Sequence, residues 1–233
     1  STELMSEIPW GMVVLLTFYL LVMEPPSAGR YFWAGMLTGA GMLFKVPHAG
    51  IVAAAGVSVA FGLWQARFTH LRAALWCLFG VILGATPWLL YNWAFLGGWL
   101  TTPYHLYWPH WASVSTAFDF RYLLTPPSAA GRIESGMGNL VYYFLACLGL
   151  DPRPERMPWV APVAILFLVA LFMARPWKSL SSSGRRFLVL TGLAAVLFGG
   201  PFFLYSFQDV RFFLPILPPL FLAAAVPLAA VAE

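Results

Sequence analysis

Residues 73–93 read Ala73-Ala74-Leu75-Trp76-Cys77-Leu78-Phe79-Gly80-Val81-Ile82-Leu83-Gly84-Ala85-Thr86-Pro87-Trp88-Leu89-Leu90-Tyr91-Asn92-Trp93, without one charged side chain. A bilayer core about 30 Å thick takes roughly 17–25 apolar residues per helix, and this run fills it. The rest of the chain has the same character. Of 233 residues, 61% are hydrophobic and 9% are charged, against roughly 25% charged in an average soluble domain. A chain of this length has too little interior to hide that much apolar surface from water. The composition excludes a soluble globular domain, a disordered chain and a nucleic-acid binder. The sequence pI near 9.3 rests on 13 Lys+Arg against 9 Asp+Glu, and the basic residues are scattered rather than gathered in a phosphate-binding stripe.

Further runs predict an all-α, polytopic bundle of about seven spans, forming a single transmembrane domain over residues 1–233. The spans are Ile8–Met23, Tyr31–Phe44, Ala49–Trp64, Ala73–Trp93, Trp159–Met173, Phe187–Tyr205 and Phe212–Val231. The second and third are short and are separated by Lys45-Val46-Pro47-His48, which suits two tilted spans better than one broken hairpin. Leu140–Leu150 is too short to cross and reads as an interfacial helix. Gly35-x-x-x-Gly39 on the second span reads as a close helix contact. Cys77 and Cys147 lie in apolar runs and read as small hydrophobes rather than a disulfide. The opening Ser1-Thr2-Glu3 shows no signal peptide and suits a piece of a longer protein.

Orientation follows from short basic loops. Gln65–Arg72 carries Arg67 and Arg72, and Ala174–Arg186 carries Arg175, Lys178, Arg185 and Arg186, neither with an acid. Both face the cytoplasm only if Leu140–Leu150 does not cross. Within the second loop, Ser181-Ser182-Ser183 reads as a flexible linker. Residues 94–158 then form a long extracytoplasmic loop rich in aromatic residues. The outer ends gather Glu7, Lys45, His48, His105, His110, Asp209 and Arg211. Each alone could snorkel to the interface; their gathering on one face suggests a site. Glu7 stands just before Pro9 at a first-turn position, and Lys45 sits in the break between two spans. Lys45 and Arg211 together suit a phosphate or pyrophosphate headgroup. His105 and His110 are five apart around Pro109, unlike a helical ligand pair, and no HExxH or Cys/His cluster occurs. The residues call for no cofactor, with a divalent metal left open.

The series Met5-Ser6-Glu7-Ile8-Pro9, Leu43-Phe44-Lys45, Ala85-Thr86-Pro87-Trp88-Leu89-Leu90-Tyr91-Asn92 and Tyr205-Ser206-Phe207-Gln208-Asp209-Val210-Arg211-Phe212-Phe213-Leu214-Pro215-Ile216-Leu217-Pro218-Pro219 resembles the later part of the GT-C membrane glycosyltransferases. The group resembled comprises bacterial relatives of dolichyl-phosphate-mannose protein mannosyltransferases and of the lipid A aminoarabinose transferase. That resemblance implies a polyprenyl-phosphate sugar donor and an acceptor at the outer face of the bacterial inner membrane. It implies that Glu7 lines the cavity and that Lys45 and Arg211 bind the donor phosphate; Asp209, Tyr104 and His105 are further candidates for substrate binding. The family's catalytic acid lies in the loop after its first span, and no substitute for it is found here. It is expected upstream of Ser1, so the fragment alone is expected to be inactive. Besides membrane lipid and the donor, membrane-complex partners are expected under the alternative reading, a non-catalytic structural subunit. A flippase predicts an inverted repeat, which the hydropathy does not show.

Overall fold

The uncharged run at residues 73–93 lies within one helix, α4 (Leu71–Leu96), in a computed structural model that describes residues 2–45, 48–101, 180–203 and 215–232. The other described elements are α1 (Thr2–Val22), α2 (Ala28–Ala40), a 3-10 turn (Gly41–Leu43), α3 (Ala49–Gln65), α5 (Ser182–Phe203) and α6 (Leu217–Ala232). The fold is all-α, and among the described residues there is no strand. One of these helices, α4, is long and apolar enough to cross a membrane; Ile8–Val22 and Ala49–Gln65 are shorter apolar helices. The expected run Trp159–Met173 and the interfacial segment Leu140–Leu150 lie outside the described residues.

Two boundaries differ from the sequence reading, each for a local reason. Helix α1 starts at Thr2, so Glu7 is not in the first turn, as the sequence reading has it, and Pro9 is internal. Ser181-Ser182-Ser183 is not a linker. Ser181 Oγ accepts the Gly184 N–H at 3.1 Å and caps α5, satisfying a donor that has no intrahelical acceptor. At the start of α2, Ser27 does the same for the Arg30 N–H.

The core is drawn from one stripe on each helix. On α1 the buried residues are Trp10, Val14, Phe18 and Leu21, and on α5 they are Phe187, Leu190, Ala194 and Phe198. Both series step by three or four, the spacing of one helix face. The two stripes meet edge to face at Trp10–Phe198 and Phe18–Phe187, so α1 and α5 are antiparallel. An exposed ion pair, Glu24–Arg186 at 3.4 Å, closes the same interface at its end.

Helices α2 and α4 meet differently, through glycine. A Cβ on Gly35 would stand 2.0 Å from the Cys77 carbonyl oxygen, and one on Gly39 2.2 Å from that of Val81. The contact is reciprocal: a Cβ on Gly80 would stand 2.3 Å from the Phe32 oxygen, and one on Gly84 2.2 Å from the Met36 oxygen. The close contact read from Gly35-x-x-x-Gly39 is thus present, with Gly80-x-x-x-Gly84 as its counterpart. Residue numbers rise together along both helices, so α2 and α4 run parallel. Helix α1 is antiparallel to both α2 and α5, hence α4 and α5 point the same way.

Surfaces facing away from these contacts are apolar. Leu75, Leu78, Phe79, Ile82, Leu83 and Leu90 on α4 are all exposed, a contiguous patch of a kind rarely left open on a monomer in water. Two buried hydroxyls, Thr17 on α1 and Thr191 on α5, have no hydrogen-bond partner among the described residues.

Two outcomes follow for thermal unfolding in detergent. Gly39→Ala or Gly84→Ala forces backbone apart from backbone and is expected to cost about 2–3 kcal/mol, whereas Gly56→Ala, with open space at its Cβ, gains up to about 1 kcal/mol of helix propensity. Thr17→Val keeps the shape, removes an unpaired buried hydroxyl, and is expected to stabilise by about 1 kcal/mol.

Candidate functional site

Helix α2 stops at Ala40, and the 3-10 turn Gly41–Leu43 carries the chain out of it. The last carbonyls of a helix have no partner further along the helix, and here one of them is taken up by a side chain. His48, at the start of α3, is fully buried. Its Nε2 lies 2.9 Å from the Thr38 carbonyl oxygen, and its Nδ1 accepts the Trp10 indole N–H at 2.7 Å. Indole nitrogen only donates, so Nδ1 carries no proton and Nε2–H donates to Thr38. The imidazole is neutral with both nitrogens satisfied. Thr38 Oγ donates back to the Ala34 carbonyl at 2.7 Å.

Space for the ring comes from Gly41, where a Cβ would stand 2.1 Å from His48 Nε2. Trp10, itself 1% exposed, is held on its other side by Phe198 of α5. Four elements therefore converge on one polar knot: α1, the α2 terminus, the start of α3, and α5.

Lys45 belongs to this knot. Its carbonyl accepts the His48 backbone N–H at 3.0 Å, and its Nζ stands 5.9 Å from the Trp10 ring centroid, within cation–π reach. The sequence reading placed Lys45 in a break between helices, and the structure agrees. It also placed His48 among residues able to snorkel, which is corrected: the side chain is sealed inside. Glu7 lies one turn before Trp10 on α1, at the same end of the bundle. Tyr104, His105, Asp209 and Arg211 lie outside the described residues, as do His110 and Cys147.

The opposite end of the bundle is basic. Arg30 Nε donates to Ser27 Oγ at 3.1 Å, its guanidinium also reaches the Pro25 carbonyl, and Arg186 pairs with Glu24. Arg67 and Arg72 flank the turn between α3 and α4. Phe32 and Trp76, in edge contact, bring the starts of α2 and α4 to this same end. A separate open groove of about 670 Å³, lined by Met12, Leu16, Tyr19, Val22, Phe187 and Leu222, is apolar and lies away from Lys45. Among the described residues no group of three or more His, Cys, Asp or Glu could hold a metal ion. Cys77 is a free, buried thiol.

Compared with protein-family models, with curated proteins and with solved structures, the chain matches none. A cation held at a helix break, over an indole face and at the end of the bundle away from the arginines, can meet an anion. Trp10 and Thr38 are not singled out by the sequence, and Gly41 reads there only as a small residue that follows Gly35-x-x-x-Gly39. Nothing in the local pattern marks a buried tryptophan donor or the glycine that admits an imidazole.

The neutral state of His48 has a pH signature. Burial pushes the imidazole down to about 4 from its ordinary 6.5, partly opposed by the Thr38 carbonyl. Between those values the unfolded chain binds a proton that the folded chain does not, so stability rises with pH across that window. Acidification from pH 7 to 4 is expected to remove up to about 3 kcal/mol, seen as a falling midpoint of thermal unfolding. In His48→Gln that component of the slope disappears.

Proposed function

We propose that this chain is a multi-pass protein of the bacterial inner membrane, with about seven spans. It serves the transfer of a sugar from a polyprenyl-phosphate donor to an acceptor at the outer face. The observation that carries the reading is Lys45, fixed in a helix break at the end of the bundle opposite Arg30, Arg67, Arg72, Arg185 and Arg186. Basic residues concentrate on the cytoplasmic side of membrane proteins, which puts Lys45 outside. There, Lys45 and Arg211 bind the donor phosphate, which is the leaving group. Cations at its oxygens stabilise the charge that develops as the glycosidic bond breaks. Asp209, Tyr104 and His105 complete the binding set.

Three features support the membrane part of the reading. Exposed apolar surface runs along α4. Trp76 and Trp93 are seventeen residues apart on that helix, or about 26 Å, the spacing of two aromatic belts. The chain also leaves α4 at one end of the bundle and enters α5 at the other, which asks for an odd number of crossings between them. One span at residues 159–173, with residues 140–150 lying at the interface, meets that requirement.

Membranes carrying the chain within its full-length protein are expected to transfer labelled sugar from a polyprenyl-phosphate donor. Lys45→Ala and Arg211→Ala are each expected to lower transfer by about 100-fold at unchanged protein level. Wild-type rates in Arg211→Ala would remove that residue from the phosphate site. Stoichiometric recovery in a membrane complex without any transfer selects the structural-subunit reading, in which exposed aromatic faces pack against neighbours. For sidedness, in a Cys147→Ser background, Thr69→Cys is expected to react with an impermeant maleimide only from the cytoplasmic side and Thr101→Cys only from outside.

A further inference from the structure

We propose that Trp10 and His48 are positioning residues for Lys45, setting where its ammonium stands to receive a phosphate group. This rests on the reading of Lys45 as an anion-binding cation. Two hydrogen bonds tie the described residues on either side of the break between α2 and α3. On its α2 side, His48 Nε2–H holds the Thr38 carbonyl at 2.9 Å. On its α3 side, the His48 backbone N–H holds the Lys45 carbonyl at 3.0 Å. One residue thus ties the lysine's own backbone to the end of the preceding helix.

Trp10 fixes the remaining freedom. Its N–H orients the imidazole at 2.7 Å, and its ring faces Lys45 Nζ at 5.9 Å. Phe198 packs edge to face against the indole at 5.6 Å, and the ring beneath the ammonium is buried. A lysine side chain has four rotatable bonds and about 2 kcal/mol of rotamer entropy; an ammonium already placed over a fixed ring gives up less of it on binding. Neither Trp10 nor His48 is exposed, so neither touches the ligand, and both act through Lys45.

The test measures binding of a short-chain polyprenyl phosphate to the purified full chain in detergent, with inorganic phosphate as a second probe. Wild type is expected to bind, and Lys45→Ala to bind more weakly than any of the His48 and Trp10 variants but still measurably. His48→Leu fills the space without either hydrogen bond and is expected to weaken binding about tenfold. His48→Gln, whose amide oxygen and nitrogen can replace Nδ1 and Nε2, is expected to restore most of it. Trp10→Phe keeps a ring but loses the donor, and is expected to fall between. In a Lys45→Ala background these variants are expected to have no further effect, which general damage to the fold would not reproduce. Lysine-dependent binding of either probe that is weakened by His48→Leu or Trp10→Phe supports the proposal, and the stronger-binding probe identifies a lipid headgroup or a free phosphate as the anion. Wild-type affinity in both Trp10→Phe and His48→Leu, with Lys45→Ala impaired, overturns the positioning role and leaves the phosphate site standing. No binding by the wild type overturns both. If His48→Leu does not fold, Trp10→Phe and the lysine background decide the matter.

Discussion

Gly35 and Gly39 bring the backbone of α2 against the carbonyls of Cys77 and Val81, and Gly80 and Gly84 return the contact to Phe32 and Met36. No side chain larger than hydrogen fits between. Close backbone approach of this kind supplies dispersion contacts along the interface without a large side chain to bury. The parallel direction of α2 and α4 has a further effect. With α3 as the return stroke between them, it brings Arg30, Arg67 and Arg72 to one end of the bundle and leaves Lys45 at the other.

At the Lys45 end the organising group is a buried imidazole. An unsatisfied polar group in such a place costs about 1–3 kcal/mol, and a charged one more. Here both ring nitrogens are paired, one to an indole from α1 and one to a carbonyl freed by the termination of α2. Such a network makes one arrangement of four elements much better than its neighbours. It also explains why α2 can end early. The carbonyl that the helix abandons is not lost to the interior.

Composition and hydropathy made the helices legible because long apolar runs admit few alternatives. The Gly35-x-x-x-Gly39 contact was legible too, since small residues four apart on an apolar helix have few other uses. Its counterpart Gly80-x-x-x-Gly84 was hidden inside a run already read as a span, where glycine is unremarked. The serine run at residues 181–183 misled because Ser is as common in linkers as at N-caps; only the bond from Gly184 to Ser181 distinguishes them. Lys45 stood out as a lone cation between apolar segments. His48, three residues later, looked similar, yet one side chain joins an indole face and the other is sealed beneath it. That difference depends on Trp10 and Gly41, brought together by the fold, and no local window contains all of them.

The pairing of α1 with α5 bears on how the chain is made. Trp10 and Phe18 precede their partners Phe198 and Phe187 by roughly 170–190 residues, a wait of about 10–40 s at ordinary elongation rates. The α2–α4 contact closes within a much shorter stretch. During translation the glycine-paired helices α2 and α4 can therefore meet while the aromatic stripe of α1 is still unmatched. Only the emergence of α5 supplies its partners.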